Sequence, residues 1–198
     1  MDINSLPKAC VILGAGASHD AVNQGSRIRD ARWRPPLAKS LFDIQGNPYY
    51  ATILDRYPDA SYLAQILEPR LSDDNTVGME AELRRLADHS SPIIRQKFKF
   101  VLPYIRDVIL ECTLNYADMP GSYVQLVNMF LADHPHHLLF INLNYDDFLE
   151  KALNRFDTRT YHFKGPGNYT DPSMQAKVLK LHGSVDWIVR VAPDREND

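Results

Sequence analysis

Three short stretches of this chain combine residues that can do chemistry with a setting that would present them. The first, Gly14-Ala15-Gly16-Ala17-Ser18, follows the apolar run Ala9-Cys10-Val11-Ile12-Leu13 directly. A strand ending in Gly-x-Gly lets backbone amides and a helix start approach a pyrophosphate closely. The second, Asn144-Tyr145-Asp146, comes just after the apolar run Leu138–Asn142. Its amide and carboxylate form a pair able to grip a carboxamide, a ribose hydroxyl and a water. The third, His182-Gly183-Ser184, follows the largely apolar run Val178-Leu179-Lys180-Leu181. Imidazole is the usual general base near neutral pH, Gly183 permits close backbone approach, and Ser184 can donate to phosphate or ribose.

Each stretch also has a purely structural reading: a tight turn, a helix capped by Asp146 or Asp147, a histidine in a strand-end turn. What favours chemistry is their shared position. Ligands of open α/β sheets bind beyond the carboxyl ends of the strands, and all three stretches follow an apolar run.

The elements needed to hold them are legible along the chain. Fully apolar runs ended by glycine or polar residues read as strands buried on both faces, hence a parallel sheet. Residues 19–34 are polar and without period, a loop, and Pro35-Pro36 then opens a short helix through Leu37, Leu41 and Phe42. Residues 49–133 are helical in pattern. Phe98, Leu102, Ile105, Ile109 and Cys112 form one stripe, with Pro103 a kink or break, and Tyr123, Leu126, Val127, Phe130 and Leu131 form another. Both stripes read as core, and residues 71–78 as a polar break between helices. After Asn144-Tyr145-Asp146 a helix buries Phe148, Leu149, Ala152 and Leu153, with Asp147 and Glu150 on its surface. Residues 160–163 read as a strand, 165–168 as a turn, and 187–191 as one more strand. The expected fold is α/β, a Rossmann-like open parallel sheet with a helical insertion, about residues 48–134, between the first and second sheet strands.

Composition narrows the function classes. The chain has 198 residues, 44% hydrophobic and 24% charged, which suits one ordinary globular domain. A net charge of −3 without a basic block gives no nucleic-acid surface. No apolar run reaches bilayer length, and the N-terminus lacks a signal-peptide pattern, so a reducing cytoplasm is the expected setting. Cys10 and Cys112 lie far apart, which leaves neither a disulfide framework nor a thiolate zinc cage. His134, His136 and His137 read as a solvated loop, so no metal is expected. His19 stands where the dinucleotide fingerprint has its third glycine, and no strand ends in an acid about twenty residues on. Hydride transfer is therefore disfavoured.

Together, Gly14-Ala15-Gly16-Ala17-Ser18, Arg34-Pro35-Pro36-Leu37, Asn144-Tyr145-Asp146 and Lys180-Leu181-His182-Gly183-Ser184-Val185-Asp186-Trp187 resemble the sirtuin-like superfamily. Within it the chain is most similar to the bacterial sirtuin-like domains that hydrolyse NAD in antiphage defence. The resemblance implies a single NAD-binding domain over residues 1–198, with Gly14, Ala15, Gly16 and Ser18 cradling the phosphates. It gives Asn144 the role of the catalytic asparagine that orients the nicotinamide ribose and a water, and Asp146 that of the carboxamide contact. His182 matches the catalytic histidine, and Gly183 and Ser184 complete the binding set. The zinc ribbon of protein-deacylating sirtuins has no counterpart, and Arg34-Pro35-Pro36 takes only the approximate place of their substrate-loop motif.

The implied activity is an NAD glycohydrolase that releases nicotinamide and ADP-ribose, with some cyclised product. The implied setting is an NAD-depleting effector in prokaryotic antiviral defence, as a homo-oligomer or with a regulatory subunit or domain. A nucleotide-sensing module without turnover is the alternative. The charged residues 194–198 read as the edge of an N-terminal portion of a longer chain, or of a compact variant.

Overall fold

The computed structural model describes residues 9–21, 33–72, 78–115, 121–133, 138–157, 160–163, 165–171, 173–174, 176–185 and 187. The loop expected over 19–34, the polar break over 71–78 and the strand over 187–191 fall partly outside these residues. The three-histidine cluster and the tail fall wholly outside them.

The first strand, β1 (Ala9–Leu13), runs into helix α1 (Ala15–Ala21). Helices α2 (Pro48–Leu54), α3 (Pro58–Ser72), α4 (Met79–Ala87), α5 (Pro92–Phe98), α6 (Val101–Asn115) and α7 (Gly121–Asp133) follow. Then come β2 (Leu138–Asn142), α8 (Phe148–Phe156) and β3 (Ala176–Lys180). The strands form an open parallel sheet in the order β1-β2-β3, the Rossmann-like α/β arrangement with helices between the first two strands.

Register explains the sheet's chemistry. On the inner face three rows stack across the strands: Ala9–Leu138–Ala176, Val11–Phe140–Val178 and Leu13–Asn142–Lys180. The first two are apolar and pack under α7 and α8 through Tyr123, Val127, Leu131, Phe148, Leu149 and Leu153. The third row, at the carboxyl ends, turns polar although Asn142 and Lys180 are buried. Burial on both faces does not hold. β1 and β3 are edge strands, and the outer row leaves Ile12 66% and Leu179 45% exposed among the described residues.

A second core lies apart from the sheet. Leu41, Phe42, Tyr50, Ile53, Leu63, Leu67, Leu86, Val101, Tyr104 and Val108 pack with one another across α2 to α6. This core ends at Cys112, so α7, though within the helical stretch, belongs by packing to the sheet.

Three local expectations are corrected. Residues 160–163 are turn and coil, because the Asn154 side chain takes both backbone polar groups of Phe163, accepting from its N–H at 2.9 Å and donating to its carbonyl at 3.3 Å. With those groups satisfied there is no ladder to join. Pro35-Pro36 leads only to a 3₁₀ turn, Ala38–Ser40, while Leu41 and Phe42 do enter the core. The stripe from Phe98 to Cys112 is split between α5 and α6, and Pro103 sits in the first turn of α6, where a missing N–H costs little.

Candidate functional site

The three strand-end turns meet at one end of the sheet. Leu143 donates its N–H to the Leu13 carbonyl at 2.9 Å, joining the first turn to the second. Val185 N–H and Ser184 Oγ donate to the Tyr145 carbonyl at 2.9 and 3.3 Å, joining the second to the third. Gly183 has a φ of +83°, a left-handed conformation that favours glycine. The His182 ring lies against Tyr145, with centroids 5.8 Å apart.

Over these turns opens a cavity of about 330 Å³, within the range of small-molecule sites. Gly14, Ala15, Asn144, Tyr145, Asp146 and His182 form its sheet side. Pro35, Pro36, Leu37, Leu41, Met79, Glu80, Ile105 and Ile109 form the opposite wall, supplied by the helical segment and the loop before it. That loop is fastened to α1. Arg34 Nε donates to the His19 carbonyl at 2.6 Å, and the His19 ring bonds the Pro35 carbonyl at 2.8 Å. A second cavity of about 370 Å³, lined by Gly183, Ser184 and Trp187, shares Tyr145, His182, Met79, Ile105 and Ile109 with the first. Gly14 and Gly16 have φ values that any residue adopts, and a Cβ on either would meet only open space. Neither conformation nor packing demands glycine there, which leaves the space above them for a ligand.

The side chains divide into those that face the cavity and those that lie behind it. Asn144 is buried, yet lines the cavity. Its Nδ2 donates to Ser18 Oγ at 2.8 Å and to the Tyr123 hydroxyl at 3.2 Å, and those two oxygens are 2.8 Å apart. Its Oδ1 is buried without a partner among the described residues. Ser18 and Gly16 do not line the cavity. The Ser18 hydroxyl is buried behind Asn144. Asp146 accepts the Phe148 N–H at 3.2 Å, so it caps α8 as well as lining the cavity. Burial raises its pKa, while the Ser18 hydrogen bond and the Lys180 charge pull it back.

Two groups with large electrostatic consequences lie outside the set expected from the sequence. Glu150, expected on the surface of α8, is buried with its carboxylate 3.4 Å from the Lys180 ammonium. Burial pushes its carboxyl up to about 7 against the attraction of Lys180. Lys180 also donates to the Asp146 carbonyl, which ties β3 to the Asn144 turn. Glu80, from α4, brings a carboxylate to 3.7 Å from His182 Nδ1. The signal for Glu150 was available: it lies one residue beyond Leu149 and three before Leu153, inside the apolar stripe of α8. Glu80 carried none. Asp147 is partly exposed and pairs with Lys151 at 2.9 Å, as a helix-surface residue does.

Burial pushes the Cys112 thiol up to about 12, so at neutral pH it is an unreactive core group. Among the described residues no three His, Cys, Asp or Glu side chains group in a way that would hold a metal, and no helix is long and apolar enough to cross a membrane.

The fold and site therefore define an α/β protein with a cavity at the carboxyl edge of a parallel sheet. Residues 138–196 match the family model of the SIR2-like domain, so over this stretch the chain is similar to that NAD-linked family. The match begins at the first residue of β2 and takes in the turns of Asn144, Asp146 and His182. No curated protein and no solved structure matches the chain.

Proposed function

We propose that the chain is an NAD glycohydrolase, with Asn144 and His182 as its catalytic residues. The observation that carries this reading is the Asn144 side chain: a buried amide whose acceptor oxygen has no partner among the described residues, on a residue lining the same cavity as His182. A buried acceptor left unmatched is costly unless a ligand supplies the hydrogen. A ribose hydroxyl or a water would do so.

Charge points the same way. Glu80 and Asp146 line the cavity, and among the described lining residues there is no lysine or arginine. Such a lining suits the cationic nicotinamide–ribose half of NAD. The diphosphate would rest at the amides of Gly14 and Ala15, with open space over Gly14 and Gly16. As the nicotinamide–ribose bond breaks, its electron pair neutralises the pyridinium ring and positive charge moves to the ribose. Asn144 Oδ1 holds a hydroxyl or the incoming water, and His182 takes the proton that the water loses. Stabilisation confined to that charged transition state is what accelerates the step. The products are nicotinamide and ADP-ribose. The same reading extends to an NAD-depleting effector in prokaryotic antiviral defence, as a homo-oligomer or with a regulatory subunit.

The test is nicotinamide release from NAD by the wild type, Asn144→Ala and His182→Ala, with circular dichroism to check folding. Each substitution is expected to lower turnover about a hundredfold or more, as loss of one transition-state contact does. Undiminished release by a folded variant removes that residue from the mechanism. NAD binding without any nicotinamide release by the wild type would instead mark a sensing module.

A further inference from the structure

We propose that Tyr123, on α7, is the positioning residue for Asn144, and that with Ser18 it sets which end of the amide faces the cavity. The inference rests on the reading of Asn144 as the group that acts on the ribose.

The hydrogens decide the orientation. Ser18 Oγ, the Tyr123 hydroxyl and Asn144 make three mutual contacts, at 2.8, 2.8 and 3.2 Å, and each contact needs a hydrogen between its two atoms. The two hydroxyls supply only two hydrogens, one of which spans the 2.8 Å between Ser18 and Tyr123 in either direction. Asn144 must therefore supply a hydrogen to the two oxygens. The amide meets them with its Nδ2, at 2.8 and 3.2 Å, and its Oδ1 is left as the acceptor. A reversed amide would set oxygen against oxygen. The chemistry is therefore fixed from behind the site, by a tyrosine that does not line the cavity.

Tyr123 is itself held. It is buried in the sheet core, and its ring packs edge-on to Phe148, centroids 6.3 Å apart, at the start of the helix that follows the Asn144 turn. Its hydroxyl thus keeps a fixed place relative to both Ser18 and Asn144.

Tyr123→Phe deletes the hydroxyl and keeps the ring. Asn144 then has one anchor instead of two. kcat for nicotinamide release is expected to fall roughly tenfold, less than the about hundredfold loss of a direct contact, with KM for NAD changed less than about twofold. Ser18→Ala is the second variant. It frees the Tyr123 proton to reach Oδ1, so the amide can reverse, and kcat again falls with KM held.

A readout independent of turnover is hydrogen exchange of the assigned Asn144 side-chain amide in ¹H–¹⁵N spectra. It should be slow in the wild type and faster in Tyr123→Phe. If the wild type releases nicotinamide and Tyr123→Phe keeps its kcat, or changes only KM, the positioning role is overturned while the hydrolase reading stands. If the wild type releases none, the hydrolase reading fails and the exchange decides the anchoring alone: unchanged exchange in Tyr123→Phe overturns it. If Tyr123→Phe does not fold, Ser18→Ala decides on the same two measurements.

Discussion

From Leu41 to Thr113 the helical segment closes a core of aliphatic and aromatic side chains, and its buried polar residues, among the described ones, are Glu82 and Thr113. The sheet core is of similar extent but carries Ser18, Asn142, Asn144, Asp146, Glu150 and Lys180 in its buried polar set. The contrast is one of cost. Buried polar groups stabilise little even when paired and destabilise when not, so a core built for stability alone would omit them. Here they gather at the carboxyl ends of the strands, beneath the cavity. One core supplies a wall of the cavity, and the other holds the buried polar groups beneath it.

The largest effect should come from breaking the charge balance of the sheet core. Lys180→Met leaves Glu150 and Asp146 without their buried cation and should destabilise by about 3–5 kcal/mol at pH 8, read from urea unfolding. A loss under about 1 kcal/mol would mean that the pair is not effectively buried and would erase the contrast.

In the helical core the comparable insult is a cavity. Leu67 is fully buried there, and Leu67→Ala should cost about 2–5 kcal/mol. Nicotinamide release per folded molecule should nevertheless be unchanged, since Leu67 lines neither cavity. A fall in kcat at full folding would show that this core positions the reacting groups as well.

A smaller, graded effect is expected from pH. Glu150 has its pKa raised in the folded protein from the ordinary 4.5 to about 7, so between those values the folded form holds a proton that the unfolded form has released. Its stabilising effect is full below 4.5 and is lost as pH rises through 7. Asp146, also raised by burial, acts in the same direction, whereas Glu82, lowered by Arg70 and Arg85, acts below this window. The expected slope is a decline of at most about 1.4 kcal/mol per pH unit for one proton. Glu150→Gln should flatten it in unfolding curves taken from pH 5 to 7.5, and a slope that persists would place the proton elsewhere.

The smallest effect belongs to the surface. Arg56 and Glu111 pair at 3.6 Å with the arginine half-exposed, and Arg56→Ala should change stability by less than about 1 kcal/mol. A larger loss by the same denaturation would show the helical segment to depend on charge after all.

What could be read from the sequence follows from how local each signal is. β1 and β2 are apolar runs with abrupt polar or glycine ends, complete within five residues. β3, expected over residues 178–181, spans Ala176–Lys180 and carries two lysines. The three pair in parallel as expected although their outer face is not buried. Gly14, Asn144 and His182 were legible for the same reason, as the residues just past those ends. Tyr123 was not: its ring fits the apolar stripe of α7, and its hydroxyl gains meaning only from Ser18, 105 residues away. Glu80 likewise depends on α4 docking beside His182. The 160–163 segment misled because its composition suits a strand, while a single side chain, Asn154, satisfies the backbone groups that a neighbouring strand would need.

The cavity lies where the two cores face each other, with Leu41 and Ile105 from one and the Asn144 turn from the other. A ligand gripping both sides can be held only while both are folded, so its binding free energy couples them. At a concentration one hundred times its Kd, such a ligand adds about 2.7 kcal/mol against opening of either side. The core that opens first gains the most. Calorimetric melting that resolves two transitions in the free protein should therefore narrow toward one when the cavity is filled, making cooperativity a property that the ligand confers on the chain.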